Sequence, residues 1–128
     1  MVSKVPKILL TGATGYIGGR LLTALQAAGW PVRCLARRPE FLSSRVGPET
    51  EVMQGDCLKS SSLRRCFDGI ETAYYLVHSM GSATDFETQD RAAATHFGQA
   101  ASEAGVARIV YVGGLGSGSD VLSKHLRS

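Results

Sequence analysis

The most constraining stretch of this chain is a short apolar run, Lys7 to Thr11, that passes directly into Gly12-Ala13-Thr14-Gly15-Tyr16-Ile17-Gly18 and then into apolar residues at helical spacing. Ile17, Leu21, Leu22, Leu25 and Ala28 fall on one helical face, and Gly29 follows as a left-handed stop. The expected unit is strand, glycine turn, helix. A G-x-x-G-x-x-G run has meaning as a dinucleotide fingerprint only in that setting. There, Gly12 permits the tight turn, Gly15 lets backbone N–H groups approach a pyrophosphate, and Gly18 lets the helix pack closely on the first strand. The helix N-terminus near Tyr16 adds a partial positive charge and unpaired donors. The alternative is a merely tight turn between strand and helix.

The rest of the chain repeats the pattern. Val32 to Ala36 reads as a second strand, buried on both faces because it lacks polar alternation, and Arg37-Arg38-Pro39 ends it. Residues 39–50 read as a loop, and Glu51 to Gln54 as a third strand. Ser60 is expected to cap a short helix that turns Leu63, Cys66 and Phe67 inward and stops at Gly69. Ala73 to Val77 forms a fourth strand. From Asp85 to Ala104, Phe86, Ala93, Phe97, Ala100, Ala101 and Ala104 share a face, with Glu87 and Arg91 paired outside. Gly105 caps that helix, and Arg108 to Val112 is the fifth strand. Alternating strands and helices predict an α/β chain of parallel units joined by right-handed crossovers. Functional residues then belong just after each strand.

Composition removes several classes of function. With 128 residues, 44% of them apolar, the chain suffices for one domain with its own core. The net charge of +3 comes from ten arginines and four lysines against 11 acids, scattered without the basic stripe that nucleic-acid binding needs. Cys34, Cys57 and Cys66 are an odd set without C-x-x-C spacing. They suit neither a disulfide framework nor a zinc site, and point to a reducing cytoplasm. No stretch approaches the roughly 18 apolar residues of a membrane span, and glycines interrupt Ile8-Leu9-Leu10 too early for a signal peptide.

The opening TGATGYIGG, the step Gly55-Asp56-Cys57 and the segment Tyr74-Tyr75-Leu76-Val77-His78-Ser79-Met80 together resemble the atypical short-chain dehydrogenase/reductase superfamily. Within it the chain is similar to the NmrA-like, NAD(P)H-binding branch. The resemblance implies a Rossmann-like doubly wound parallel sheet of five strands in order 3-2-1-4-5, with helices on both faces. It also implies that Gly12, Thr14, Gly15, Tyr16 and Ile17 hold a pyrophosphate through backbone groups. Asp56 would accept from the adenine amino group with help from the Cys57 backbone, and Leu76, Val77 and His78 would line the adenine side and ribose. NAD-preferring relatives place an acid at the end of the second strand. Here Arg37 stands there, which implies NADP(H) in preference to NAD(H), because a guanidinium binds a 2′-phosphate that a carboxylate repels. The bland alternatives are solvated loop arginines, a helix-approach role for Asp56 and an ordinary satisfied polar role for His78.

The chain departs from the family's catalytic pattern. After the fifth strand it reads Gly113-Gly114-Leu115-Gly116, where a hydroxyl residue is expected, and Ser117 and Ser119 read as turn residues. The register that fits the catalytic Tyr places His125 there, and the matching Lys position falls past Ser128. His125 is the one catalytic candidate, an imidazole titrating near neutral pH, while His96 reads as partly exposed scaffold. The expected function is the NAD(P)H-binding domain, residues 1–128, of a short-chain-dehydrogenase-like oxidoreductase acting on a small-molecule carbonyl or hydroxyl substrate, or of a related NAD(P)-dependent epimerase, with its substrate-covering region absent. An NmrA-like sensor that binds the dinucleotide without turnover is the alternative, followed by a scaffold that binds no cofactor. Neither a metal, a nucleic acid nor a membrane is an expected partner. If the sheet stops at the fifth strand, the Ile109 to Val112 edge is open to a homodimer.

Overall fold

The computed structural model describes residues 6–76 and 84–111, the second stretch with side chains from residue 88 onward. The apolar runs form β1 (Ile8–Thr11), β2 (Val32–Ala36), β3 (Thr50–Gln54), β4 (Thr72–Tyr75) and β5 (Arg108–Tyr111). They make one parallel sheet in the order β3-β2-β1-β4-β5, as expected. Two helices, α1 (Tyr16–Ala27) and α2 (Thr84–Ala104), carry the crossovers out of β1 and into β5.

Side chains alternate across a strand, and that alternation divides the core in two. Leu9, Leu35, Ala73 and Tyr75 point to one face, where they meet Phe67 and, on α2, Phe97 and Ala101. Leu10, Cys34 and Leu76 point to the other, where they meet Leu22 of α1 and Leu42. Phe97 anchors the first cluster, with its ring centroid 4.9 Å from Phe67 and 4.7 Å from Tyr75. Helical elements therefore cover both faces of the sheet.

Several local expectations change. Ile17 is 49% exposed and Ala28 is exposed, so the buried stripe of α1 is carried by Leu22 with half-buried Leu21 and Leu25. Ala104 is likewise exposed at the end of α2, and the side chains of Phe86 and Glu87 lie outside the described residues. Ser60 caps no helix. The segment is two 3-10 turns, Ser60–Ser62 and Arg64–Phe67, and Lys59 precedes the first without a side-chain cap. Ser62 is the serine that acts: its Oγ accepts from the Asp56 N–H at 2.9 Å and donates to the Lys59 carbonyl at 2.7 Å. Such side-chain competition for backbone groups disfavours a regular helix, although Leu63, Cys66 and Phe67 are buried as expected. Residues 39–50 include a short 3-10 turn, Pro39–Phe41.

β2 is buried along its length, yet it carries a charge inside. Arg33 is 7% exposed; its Nε pairs with Glu51, and its Nη1 donates to the carbonyls of Cys66 and Asp68, each at 2.8 Å. Buried charge is tolerated where it is paired and hydrogen-bonded, as the Arg33 Nε and Nη1 are here. Among the described residues, no helix is long and apolar enough to cross a membrane.

Candidate functional site

β1 lies at the centre of the sheet, between β2 and β4, where the strand order reverses. Ligands of open α/β sheets bind beyond the strand ends at such a point. The chain leaves β1 through Gly12, whose φ of +100° only glycine adopts readily. A Cβ on Gly12 would stand 2.9 Å from the Leu76 backbone, so the turn passes tightly against the end of β4. Gly15 N–H closes the turn on the Gly12 carbonyl at 3.0 Å. Gly18 serves close packing against this turn itself rather than along β1, because its Cβ would fall on the backbone of Gly12 and Ala13.

The N-terminus of α1 is left open by its own sequence. Gly15 is the N-cap and supplies no side-chain hydrogen bond, and no acidic residue occupies the first turn. Among the described residues, the N–H groups of Thr14, Tyr16 and Ile17 donate to no backbone carbonyl. Such donors at the positive end of a helix dipole are a ready anion site.

From this turn a cleft of about 770 Å³ runs across the carboxyl ends of β2 and β3, a volume typical of small-molecule and cofactor sites. It brings together Gly12, Thr14, Gly15, Arg37, Asp56, Cys57 and Leu76, all singled out in the sequence. Tyr16 and Ile17 do not line it. Tyr16 is 77% exposed and its hydroxyl accepts from Arg20, so any part these residues play falls to their backbone. Val77, His78 and His125 lie outside the described residues. The sequence reading missed Phe41, Leu58, Tyr75, Gln89, Asp90 and Ala93, which also line the cleft.

Each group in the cleft has a definable state. Arg37 is exposed, and its guanidinium makes no hydrogen bond or ion pair among the described residues. Arg38 instead lies over the Phe41 ring, 5.7 Å from its centroid. Asp56 Oδ1 accepts from the Leu58 N–H at 2.9 Å. Burial, reinforced by the Asp56 charge, pushes the Cys57 thiol up to about 12. Burial likewise raises the Tyr75 phenol, packed against Phe97 and Tyr111. Both groups are therefore neutral near pH 7, and neither is poised as a nucleophile or base. His96 is half-buried and bonded to the Cys57 carbonyl, a more specific placement than scaffold. No cluster of three metal-ligating side chains occurs among the described residues.

Residues 12–128 match the family whose members are described as NAD(P)H-binding. The chain belongs to this NAD(P)H-binding family. It is 33% identical over 122 residues to the 3 beta-hydroxysteroid dehydrogenase/Delta 5→4-isomerase of Mycobacterium tuberculosis, an alignment covering 87% of this chain and 32% of that protein. This NAD(P)H-binding chain thus spans about a third of the length of the curated relatives it matches. Among solved structures it is similar to Citrobacter sp. triphenylmethane reductase complexed with NADP(H), with a TM-score of 0.68 and 29% identity over 82% of this chain and 36% of that one. It is also similar to MoeE5 in complex with UDP-glucose and NAD, with a TM-score of 0.66 and 33% identity over 82% of this chain and 35% of that one. The expected Rossmann-like fold and dinucleotide-binding family are borne out, and reductases and dehydrogenases are among the relatives.

Proposed function

We propose that this domain takes NADP(H) in preference to NAD(H), as the cofactor-binding part of an atypical short-chain dehydrogenase/reductase that acts on a small carbonyl or hydroxyl compound. When bound, the nicotinamide supplies the hydride donor or acceptor. The chain's own residues bind and orient. The open N–H groups at Thr14, Tyr16 and Ile17 suit a pyrophosphate, and the glycine turn leaves room for its close approach. Arg37 is assigned to the 2′-phosphate of the adenosine ribose, Asp56 with the Cys57 backbone to the adenine, and Leu76 to the wall beside it.

The observation that carries the cofactor preference is the end of β2. Dinucleotide sites specific for NAD place a carboxylate there to accept from the ribose 2′-hydroxyl. This chain places Arg37 in the cleft with its guanidinium uncommitted among the described residues, and Arg38 beside it on Phe41. A charge-assisted hydrogen bond contributes about 1.5–3 kcal/mol, so one arginine favours the phosphorylated cofactor roughly ten- to a hundredfold. The test is calorimetric titration of this chain and of Arg37→Ala with NADPH and with NADH. Wild type is expected to bind NADPH more tightly, and Arg37→Ala to lose most of that difference. Equal affinities, unchanged by the substitution, would remove Arg37 from this role.

A further inference from the structure

The turn that carries Asp56 is held from outside the cleft. His96, on α2, places Nδ1 2.6 Å from the Cys57 carbonyl oxygen. A carbonyl only accepts, so Nδ1 carries the proton and the neutral ring is the Nδ1–H tautomer. The other end of the same peptide unit, the Leu58 N–H, donates to Asp56 Oδ1 at 2.9 Å. A single peptide group therefore joins the His96 ring to the Asp56 carboxylate. A donor at the carbonyl oxygen polarises the unit and strengthens its N–H as a donor in turn. Asp56 lines the cleft, and its second oxygen, Oδ2, makes no hydrogen bond among the described residues. His96 itself does not line the cleft.

We propose that His96 is a positioning residue for base recognition, holding the Asp56 carboxylate through the Cys57–Leu58 peptide so that its other oxygen accepts from the 6-amino group of a purine. This rests on the reading of Asp56 as the adenine-recognition residue. The chemical class selected is a 6-aminopurine dinucleotide. A 6-oxopurine presents an acceptor in place of the amino group and is repelled by a fixed carboxylate.

The experiment compares calorimetric dissociation constants for NADPH and its hypoxanthine analogue in wild type, His96→Leu and His96→Asn. Leu removes the donor, whereas Asn keeps an N–H near the place of Nδ1. Wild type is expected to discriminate against the hypoxanthine analogue, His96→Leu to lose roughly three- to tenfold of that discrimination, the range of one hydrogen bond, and His96→Asn to retain it. A His96→Leu chain that binds both dinucleotides equally more weakly, or that is unchanged, overturns the inference and leaves the Asp56 reading intact. A wild type that does not discriminate overturns both. Independently of any variant, nitrogen NMR of the wild-type chain at neutral pH must show His96 protonated at Nδ1, and an Nε2–H tautomer overturns the inference.

Discussion

A Cβ placed on Gly18 would stand 1.9 Å from the carbonyl oxygen of Gly12. The first turn of α1 is thus pressed against the turn that precedes it, and no side chain fits without moving backbone. Gly15 lies between these two residues, yet its Cβ would remain 3.4 Å from the same oxygen, an ordinary contact. The two glycines therefore have separable roles. Gly18→Ala is expected to lower stability by roughly 1–3 kcal/mol, as overpacked substitutions do, and to weaken NADPH binding with it. Gly15→Ala is expected to unfold near the wild-type temperature but to bind NADPH about tenfold more weakly, because the added methyl group crowds the approach of the pyrophosphate to the neighbouring N–H groups, at a cost of about one charge-assisted hydrogen bond. Thermal unfolding and calorimetry on the two variants check this. Unchanged affinity in Gly15→Ala would contradict a pyrophosphate at this turn.

Arg33 ties β2 to the segment after β3. Its Nη1 satisfies the carbonyls of Cys66 and Asp68, and its Nε pairs with half-exposed Glu51. Removing the guanidinium leaves the Cys66 carbonyl buried without its donor, a loss of about 1–3 kcal/mol. Removing the carboxylate alone breaks a pair with one solvated partner, worth about 0–1 kcal/mol. Urea denaturation is expected to rank Arg33→Ala well below wild type and Glu51→Gln close to it. Equal losses would place the energy in the ion pair rather than in the carbonyl contacts.

Much of this is legible from sequence because its causes are local. β1 and β2 are apolar runs closed by glycine and by charge, and the Leu9–Leu10 and Cys34–Leu35 pairs show adjacent residues turned to opposite faces. Gly12, Gly15, Arg37 and Asp56 follow directly after strands, so chain position alone brings them to one edge of the sheet. The missed features depend on distant partners. Arg33 is satisfied by carbonyls 33 and 35 residues away, and three consecutive serines offer equivalent caps until the Asp56 N–H selects Ser62. Gln89, Asp90 and His96 sit on a helix whose rotation about its axis is set by the packing of Phe97. Nothing in their own spacing announces that rotation.

β5 bonds to β4 on one side, and no other strand of the described residues lies on its outer side. Open strand edges pair with other chains unless they are covered or blunted. Ile109, Val110 and Tyr111 are only half-buried, which adds apolar surface to that edge. Sedimentation of this chain is expected to show a mass that rises with concentration through a self-paired edge. A monomer at every concentration would contradict it.

The buried Cys34 thiol and the half-buried Cys57 thiol make stability fall in alkali. Burial pushes Cys34 to about 11, and burial with the Asp56 charge pushes Cys57 to about 12, from the usual value of 9.0. A folded pKa above the unfolded one means that the unfolded chain holds fewer protons between the two values, so stability declines there as pH rises. The thiol contribution is fully present below about pH 8 and is lost from about pH 9 upward, by at most about 1.4 kcal/mol per pH unit for each group. The urea midpoint is therefore expected to be level between about pH 7 and 8 and to drop between about pH 9 and 11. Cys34→Ala removes one of the ionising groups, so its midpoint starts lower, through the cavity it leaves, but declines less steeply. An unchanged slope in that variant would mean that Cys34 ionises as readily in the folded sheet as in the unfolded chain, contrary to its complete burial between β1 and β3.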